Sequence, residues 1–400
     1  MTDVATVKLN DQIVGSLIHE RDGKNIFTFD CDYIEMNPVA RPILSLSFSD
    51  LKKTWITRHR LPTFFSNLLP EGDFRALIAA QHDIDPKNEF ALLTALGSDL
   101  PGAVTMENKS ELILKSARKK TLPKKSTTEH DDTIHFSLAG VQLKFSMLKE
   151  KSWFTLALPG DFIVKTPSLL YPHVPENEYS MMQLAKLVGI SVPDTQLVRV
   201  EKLRHLPALN LPDEMFAYAV KRFDRENNQR IHIEDFAQVF SVKPEKKYEA
   251  TNYDTMAKLI LSLLADPEKQ FSEFLRRLFF MVLIGNTDAH LKNWSLIYRD
   301  GVTAELSPGY DFVSTLPYLK NRELALNFAK QKNFYAIDQA VLKYFSKRVG
   351  VSDALVLANA KETVLRFKEA WADHQKSLPV STILRNALKQ HWAQLPIYRL

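Results

Sequence analysis

An apolar run, Leu278 to Gly285 (LFFMVLIG), empties directly into the polar stretch Asn286-Thr-Asp-Ala-His-Leu-Lys-Asn293. The run is far shorter than the ~20 residues that cross a bilayer, so it reads as a helix buried in a protein core. Such a helix delivers the polar stretch to the surface at a fixed place, which suits binding or catalysis. Burying it demands a large core. At 400 residues, 45% hydrophobic and 25% charged, the chain supplies one, and the usual size of roughly 100 to 200 residues per domain predicts two or three domains. One cysteine, Cys31, excludes an internal disulfide framework and a Cys-based zinc site. Together with an N-terminus that lacks a basic-then-apolar signal pattern, this predicts a cytoplasmic protein.

The rest of the chain falls into distinct patterns. Residues 4–48 alternate apolar and polar positions in short runs separated by Asn10-Asp11 and Asp22-Gly23, which predicts a small antiparallel sheet. Helical spacing follows from Leu61 to Leu96, with Asp85-Pro86 as a start and Gly97 as a stop. Residues 1–107 therefore read as an N-terminal subdomain. Residues 108–132 turn basic and Ser/Thr-rich, with six Lys or Arg among the eleven residues Lys115 to Lys125, and read as a linker or mobile loop. Over residues 133–253, β-like segments (152–158, 161–165, 196–200, 216–220) surround one helix. That helix starts after Pro175, carries Met181, Leu184, Ala185 and Val188 on one face, and stops at Gly189. Residues 254–400 read as helical almost throughout, broken by the loop-rich piece 286–315. The expected class is α+β. A net charge of +5 and a sequence pI near 8.9 admit an anionic partner without requiring one.

Phosphoryl transfer from ATP asks little of a protein: cations on the phosphates, oxygens that hold Mg²⁺, and a carboxylate that orients the acceptor. Each has a candidate. Asp288 and Asn293 are spaced like the catalytic Asp and metal-binding Asn of protein kinases, H-R-D-x-x-x-x-N. Read alone, the pair also fits two Asx turns. Asp311, in Pro308-Gly-Tyr-Asp-Phe-Val313, follows a strand-like segment and stands where a second Mg²⁺ ligand belongs. Lys165 ends the β-like run Phe162-Ile-Val-Lys, much as the phosphate-contacting lysine does in V-A-I-K; a solvent-snorkelling lysine is the plainer alternative. Glu178, at the start of the predicted helix, either orients Lys165 or serves as a first-turn carboxylate. Ser137-Leu-Ala-Gly-Val-Gln-Leu-Lys144 is a candidate phosphate-covering loop, although a single Gly140 makes its composition a weak signal.

In order and spacing, Ser137–Lys144, Ile163-Val-Lys-Thr-Pro167, Asn177-Glu-Tyr179, Lys221-Arg-Phe-Asp-Arg225, Glu234-Asp-Phe236, Gly285–Asn293 and Tyr310-Asp-Phe312 resemble the HipA-type kinase toxins. So do Val14-Gly15, Ala40-Arg-Pro42, Phe64-Phe-Ser-Asn-Leu-Leu-Pro70 and Pro101-Gly-Ala-Val104, so the resemblance covers essentially the whole chain. It implies a divergent protein-kinase-like bilobal fold with an all-helical C-terminal lobe and a small N-terminal α/β subdomain. It also implies an ATP- and Mg²⁺-dependent serine/threonine kinase. Asp288 would be catalytic, Asn293 and Asp311 would bind Mg²⁺, and Lys165 would contact the phosphates and be oriented by Glu178. Ala139, Gly140, Val141, Gln142, Lys144, His290 and Lys292 would surround the nucleotide. Glu234 and Phe236 would offer backbone groups to adenine at a hinge, and Ser137 would be autophosphorylated, ejecting its loop and inactivating the enzyme. One departure stands out: Leu143 precedes the loop lysine where many relatives have Glu.

The implied partners are a HipB-like helix-turn-helix antitoxin, operator DNA bound through the toxin–antitoxin complex, and an aminoacyl-tRNA synthetase substrate, glutamyl-tRNA synthetase in the best-known relative. Two alternatives come from other classes. A degenerate kinase would act mainly as an antitoxin-bound DNA corepressor, which the basic linker favours; a small-molecule or lipid kinase would turn over ATP without a phosphoprotein product.

Overall fold

The computed structural model describes residues 2–108, 143–157, 159–206 and 211–400 of the chain. The first part follows from its alternation. Strands β1 (Asp3–Leu9), β2 (Gln12–His19) and β3 (Lys24–Phe29), then β4 (Trp55–Arg58) and β5 (Val104–Asn108), form one antiparallel sheet in the order β4-β3-β2-β1-β5. In β3, Asn25, Phe27 and Phe29 face inward at every second residue. Helices α1 (Cys31–Glu35), α2 (Thr63–Asn67), α3 (Gly72–Gln81) and α4 (Glu89–Ala95) complete it. The expected helix start at Asp85-Pro86 is displaced: the Asp85 carboxylate closes a turn on the Lys87 N–H (2.9 Å). Asn88 caps α4 instead, accepting from the Ala91 N–H (3.0 Å).

Next come β6 (Lys144–Glu150), β7 (Trp153–Leu156), β8 (Phe162–Lys165), α5 (Val174–Val188), β9 (Thr195–Arg199), β10 (Leu203–Arg204) and β11 (Phe216–Lys221). Their six strands run β10-β7-β6-β8-β11-β9. Phe145, Met147, Val164 and Ala219 of this sheet pack into the same core as Val7, Leu17 and Phe27 of the first sheet and Phe65 of α2. On the other side lies α5, with Met181, Leu184, Ala185 and Val188 buried as its spacing predicts. It stops at Gly189, whose φ of +90° suits glycine.

The remainder holds β12 (Arg225–Glu226), β13 (Gln229–Arg230), β14 (His232–Asp235), α6 (Phe236–Val239), α7 (Tyr253–Leu263), α8 (Pro267–Ile284), β15 (Ser295–Tyr298), β16 (Glu305–Leu306), β17 (Glu323–Phe328), β18 (Gln331–Asn333), α9 (Gln339–Val349), α10 (Asp353–His374) and α11 (Thr382–Gln394). The class is α+β and the two lobes are present, but this second lobe is helix-dominated rather than all helical. A sheet β14-β15-β16 and a hairpin β17-β18 interrupt it. Because β14 pairs with β15, residues from 232 onward belong to the helical lobe, ahead of the boundary expected at 253–254. Among the described residues no helix is long and apolar enough to cross a membrane.

Candidate active site

The apolar run of the sequence forms the C-terminal half of α8 and is buried throughout. Gly285 closes it at φ +63°, and a Cβ there would meet the Leu316 side chain at 2.5 Å, so glycine is required on two counts. Asn286 begins the loop that follows. Its side-chain oxygen accepts from the Asp288 N–H (2.9 Å), and Asn293 Nδ2 donates to the Asp288 carbonyl (2.8 Å). The Asx-type turn shown here is made by Asn286, whereas Asn293 donates instead of accepting, and both contacts fix Asp288.

Asp288 opens onto a cleft of about 810 Å³ between the lobes. On the facing side, Lys165 at the end of β8 is buried, with Nζ 2.6 Å from Glu178 of α5 and 2.7 Å from Asp311. The snorkelling alternative is therefore excluded, and the lysine is paired with Glu178. Burial works against the charge of Lys165, yet the two carboxylates hold its pKa above the ordinary lysine value. Burial likewise opposes ionisation of Asp311, but Lys165 and Lys144 beside it bring its pKa down to about 2. Asp311 has φ +56°, a conformation that costs a non-glycine residue energy and recurs at functional sites. Asn177 of α5 clamps the segment after it, donating to the Ser314 carbonyl (2.8 Å) and accepting the Ser314 N–H (3.1 Å).

Tyr248 carried no signal in the sequence, unlike His290 and Lys292 in the same cleft. The Tyr248 hydroxyl donates to Asp288 (2.5 Å), while burial raises the Asp288 pKa and this bond opposes the rise. The His290 ring stands edge-on to Tyr248 at 4.9 Å, and its Nδ1 is buried without a partner among the described residues. Burial, aided by Lys247, lowers its pKa to about 3, so the imidazole is neutral. Lys292 donates to the Asn67 carbonyl (3.0 Å) and pairs with Glu71 (2.8 Å).

Two expected residues are misplaced. Glu234 is fully buried, and its carboxylate accepts from Ser45 Oγ (2.6 Å), the Leu46 N–H (3.0 Å) and the Tyr298 hydroxyl. It ties the N-terminal part to the second lobe. Phe236 spends its N–H on the Trp294 carbonyl (3.0 Å) and its carbonyl on the Phe240 N–H (3.1 Å), and neither residue lines the cleft. The crossing between the lobes lies earlier, at Lys221-Arg222-Phe223, which does line it. Ser137, Ala139, Gly140, Val141 and Gln142 lie outside the described residues. Lys144 does not: it is buried beside Lys165, Asp311 and Glu178.

The oxygen donors suit a hard divalent cation. With Nδ2 of Asn293 engaged, its Oδ1 would be the atom to offer a cation, and Lys165 takes only Oδ1 of Asp311.

Comparison with known proteins agrees with this arrangement. Residues 5–107 match the HipA N-terminal domain and residues 136–371 the HipA-like C-terminal domain. A Sinorhizobium fredii protein, Y4dM, described provisionally as a kinase, is 40% identical over 99% of this chain and 98% of its own length. The serine/threonine-protein kinase toxin HipA of Shewanella oneidensis is 27% identical over 81% of this chain and 79% of its own. A solved structure of the Shewanella oneidensis HipA, HipB and operator DNA complex contains a chain that superposes with a TM-score of 0.74. It covers 98% of this chain and 96% of that one at 23% identity, and so shows a common fold. With family domains and a full-length relative in place, the chain is a member of the HipA family of toxin kinases.

Proposed function

We propose that this chain is an ATP- and Mg²⁺-dependent serine/threonine protein kinase and the toxin of a toxin–antitoxin pair. One observation carries the reading: a single buried ammonium, Lys165, bridges Glu178 and Asp311 in the cleft that also holds Asp288 and Asn293. That is the assembly phosphoryl transfer requires.

The adenine would lie against Leu143, Ile163 and Val220, which line the cleft beside the Lys221–Phe223 rim. Lys165 and Lys144 would face the phosphates, with His290 neutral beside them, while Lys292 lines the cleft but is held by Glu71 and Asn67. Asn293 and Asp311 would hold Mg²⁺, which when bound would supply positive charge to the phosphate oxygens. Asp288 accepts the hydrogen bond of the acceptor hydroxyl and takes its proton. The Tyr248 hydroxyl, already on Asp288, marks that place and yields it to the acceptor. Family membership supports the finer assignments: autophosphorylation of Ser137, an aminoacyl-tRNA synthetase substrate, a HipB-like antitoxin, and operator DNA bound through the complex. The domain plan follows, with residues 1–107 as the N-terminal subdomain, 108–132 as a basic linker, and the nucleotide between the two lobes.

Incubation with labelled ATP and Mg²⁺ should label Ser137, and Asp288→Asn should abolish that label. Equal labelling of the substituted protein would overturn the catalytic assignment.

A further inference from the structure

The kinase cleft is not built from the kinase lobes alone. At the junction of α2 and α3, the N-terminal part sends Glu71 into it. The Glu71 carboxylate takes Lys247 Nζ on one oxygen (2.6 Å) and Lys292 Nζ on the other (2.8 Å). Lys292 finds its other partner, the Asn67 carbonyl (3.0 Å), in the same junction. Both partners of this lysine therefore come from outside the lobes that carry the reaction. Both lysine side chains are nearly buried, at 9% and 5% exposure, so the contact is not one that solvent screens away.

What makes the junction consequential is where the two lysines sit. Lys292 lies between Asp288 and Asn293 in sequence, and its carbonyl accepts the Tyr310 hydroxyl (3.0 Å), one residue before Asp311. Lys247 precedes Tyr248, whose hydroxyl is on Asp288. One carboxylate thus fixes two cations, one next in sequence to the Tyr248 that holds Asp288 and one inside the Asp288–Asn293 loop, and offsets one of their two charges. Left free, these cations would be drawn onto the phosphates of bound nucleotide and hold them in the ground state, an interaction that gains nothing for the chemical step.

We infer that Glu71 is a positioning residue of the phosphoryl-transfer centre, which makes the N-terminal domain a part of that centre rather than an appendage to it. The inference rests on the kinase reading above. It is tested on the full chain by steady-state phosphorylation with varied ATP, alongside thermal unfolding. Glu71→Gln should lower kcat at least tenfold while KM for ATP falls or stays within threefold; Glu71→Asp should recover part of the loss. Because Glu71→Gln leaves two buried cations poorly matched, the charge-balanced pair Glu71→Gln/Lys247→Gln separates folding from positioning. It should regain thermal stability without regaining kcat. Recovery of kcat in step with stability, or a Glu71→Gln enzyme within twofold of the parent, would overturn the inference while leaving the kinase intact. A parent protein that neither binds Mg-ATP nor transfers phosphate removes the kinase reading, and this inference with it.

Discussion

Lys144 is a cation that the site itself has weakened. It is buried at the start of β6, and burial, against the attraction of Asp311, lowers its pKa to about 8. It is therefore charged at neutral pH and loses its proton as pH rises through about 8, which removes one attraction for ATP phosphates. KM for ATP should rise between pH 7 and 9, and Lys144→Arg, whose guanidinium stays charged, should flatten that rise. Superimposable pH profiles for the two proteins would exclude Lys144 from the phosphate site. The residues read from sequence at this scale, Lys165, Glu178, Asp288, Asn293 and Asp311, were legible because each sits in a short run whose spacing encodes its task. Glu71 and Tyr248 reach the same cleft by contacts across long stretches of chain, so no local pattern announced them. The misplacement of the adenine rim has the same origin. Lys221-Arg-Phe-Asp-Arg225 and Glu234-Asp-Phe236 are both polar–aromatic runs in the same region, and only which of their residues line the cleft tells them apart.

At the scale of elements, the catalytic loop depends on how α8 ends. The last carbonyls of a helix have no partner within it, and here they are buried. Gly285 and Asn286 return their N–H groups to Val282 (3.2 Å) and Met281 (2.9 Å), and α11 supplies two more donors. His391 donates to the Val282 carbonyl (2.8 Å) and Trp392 Nε1 to the Leu283 carbonyl (2.7 Å). A helix from the end of the chain thus caps the helix that aims Asp288. Trp392→Phe keeps most of the packing and strands the Leu283 carbonyl, at a cost of about 1–3 kcal/mol. The expected outcome in differential scanning calorimetry is a midpoint lower by several degrees, at roughly 2–4 °C per kcal/mol for a unit of this size. An unchanged midpoint would mean that the cap contributes nothing. Element positions were mostly legible because burial follows period two or 3.6. The exception is the β17-β18 hairpin, read as helix. Its turn is Ala329-Lys330, at φ +51° and +66°, in place of the Asn-Gly pair that normally signals a two-residue turn.

Of the two apolar cores among the described residues, one is shared between the first sheet and the kinase sheet while the other fills the helical lobe, and a buried ionic network crosses the boundary between the N-terminal part and the kinase lobes. Asp99, fully buried, takes Arg222 Nη1 (2.9 and 3.1 Å) and Arg225 Nη2 (2.8 Å). Asp224 receives the Gly102 N–H (2.8 Å). Gly102 has φ +71°, and a Cβ there would stand 2.8 Å from the Ile233 nitrogen, so a larger residue would push the two parts apart. Sequence pattern divides the chain near residue 108 because composition changes there, but it does not report which faces meet. A shared core and a desolvated ionic seam predict that residues 1–107 and the kinase lobes unfold together, with equal calorimetric and van't Hoff enthalpies. Asp99→Asn removes one partner of a buried network, at a cost of about 3–5 kcal/mol, so it should lower that one transition as a unit. Arg222 also lies in the rim beside the adenine site, so the same change should raise KM for ATP. Two resolved transitions, in the parent or the substituted protein, would mean that the N-terminal part folds by itself and that the seam only joins finished domains.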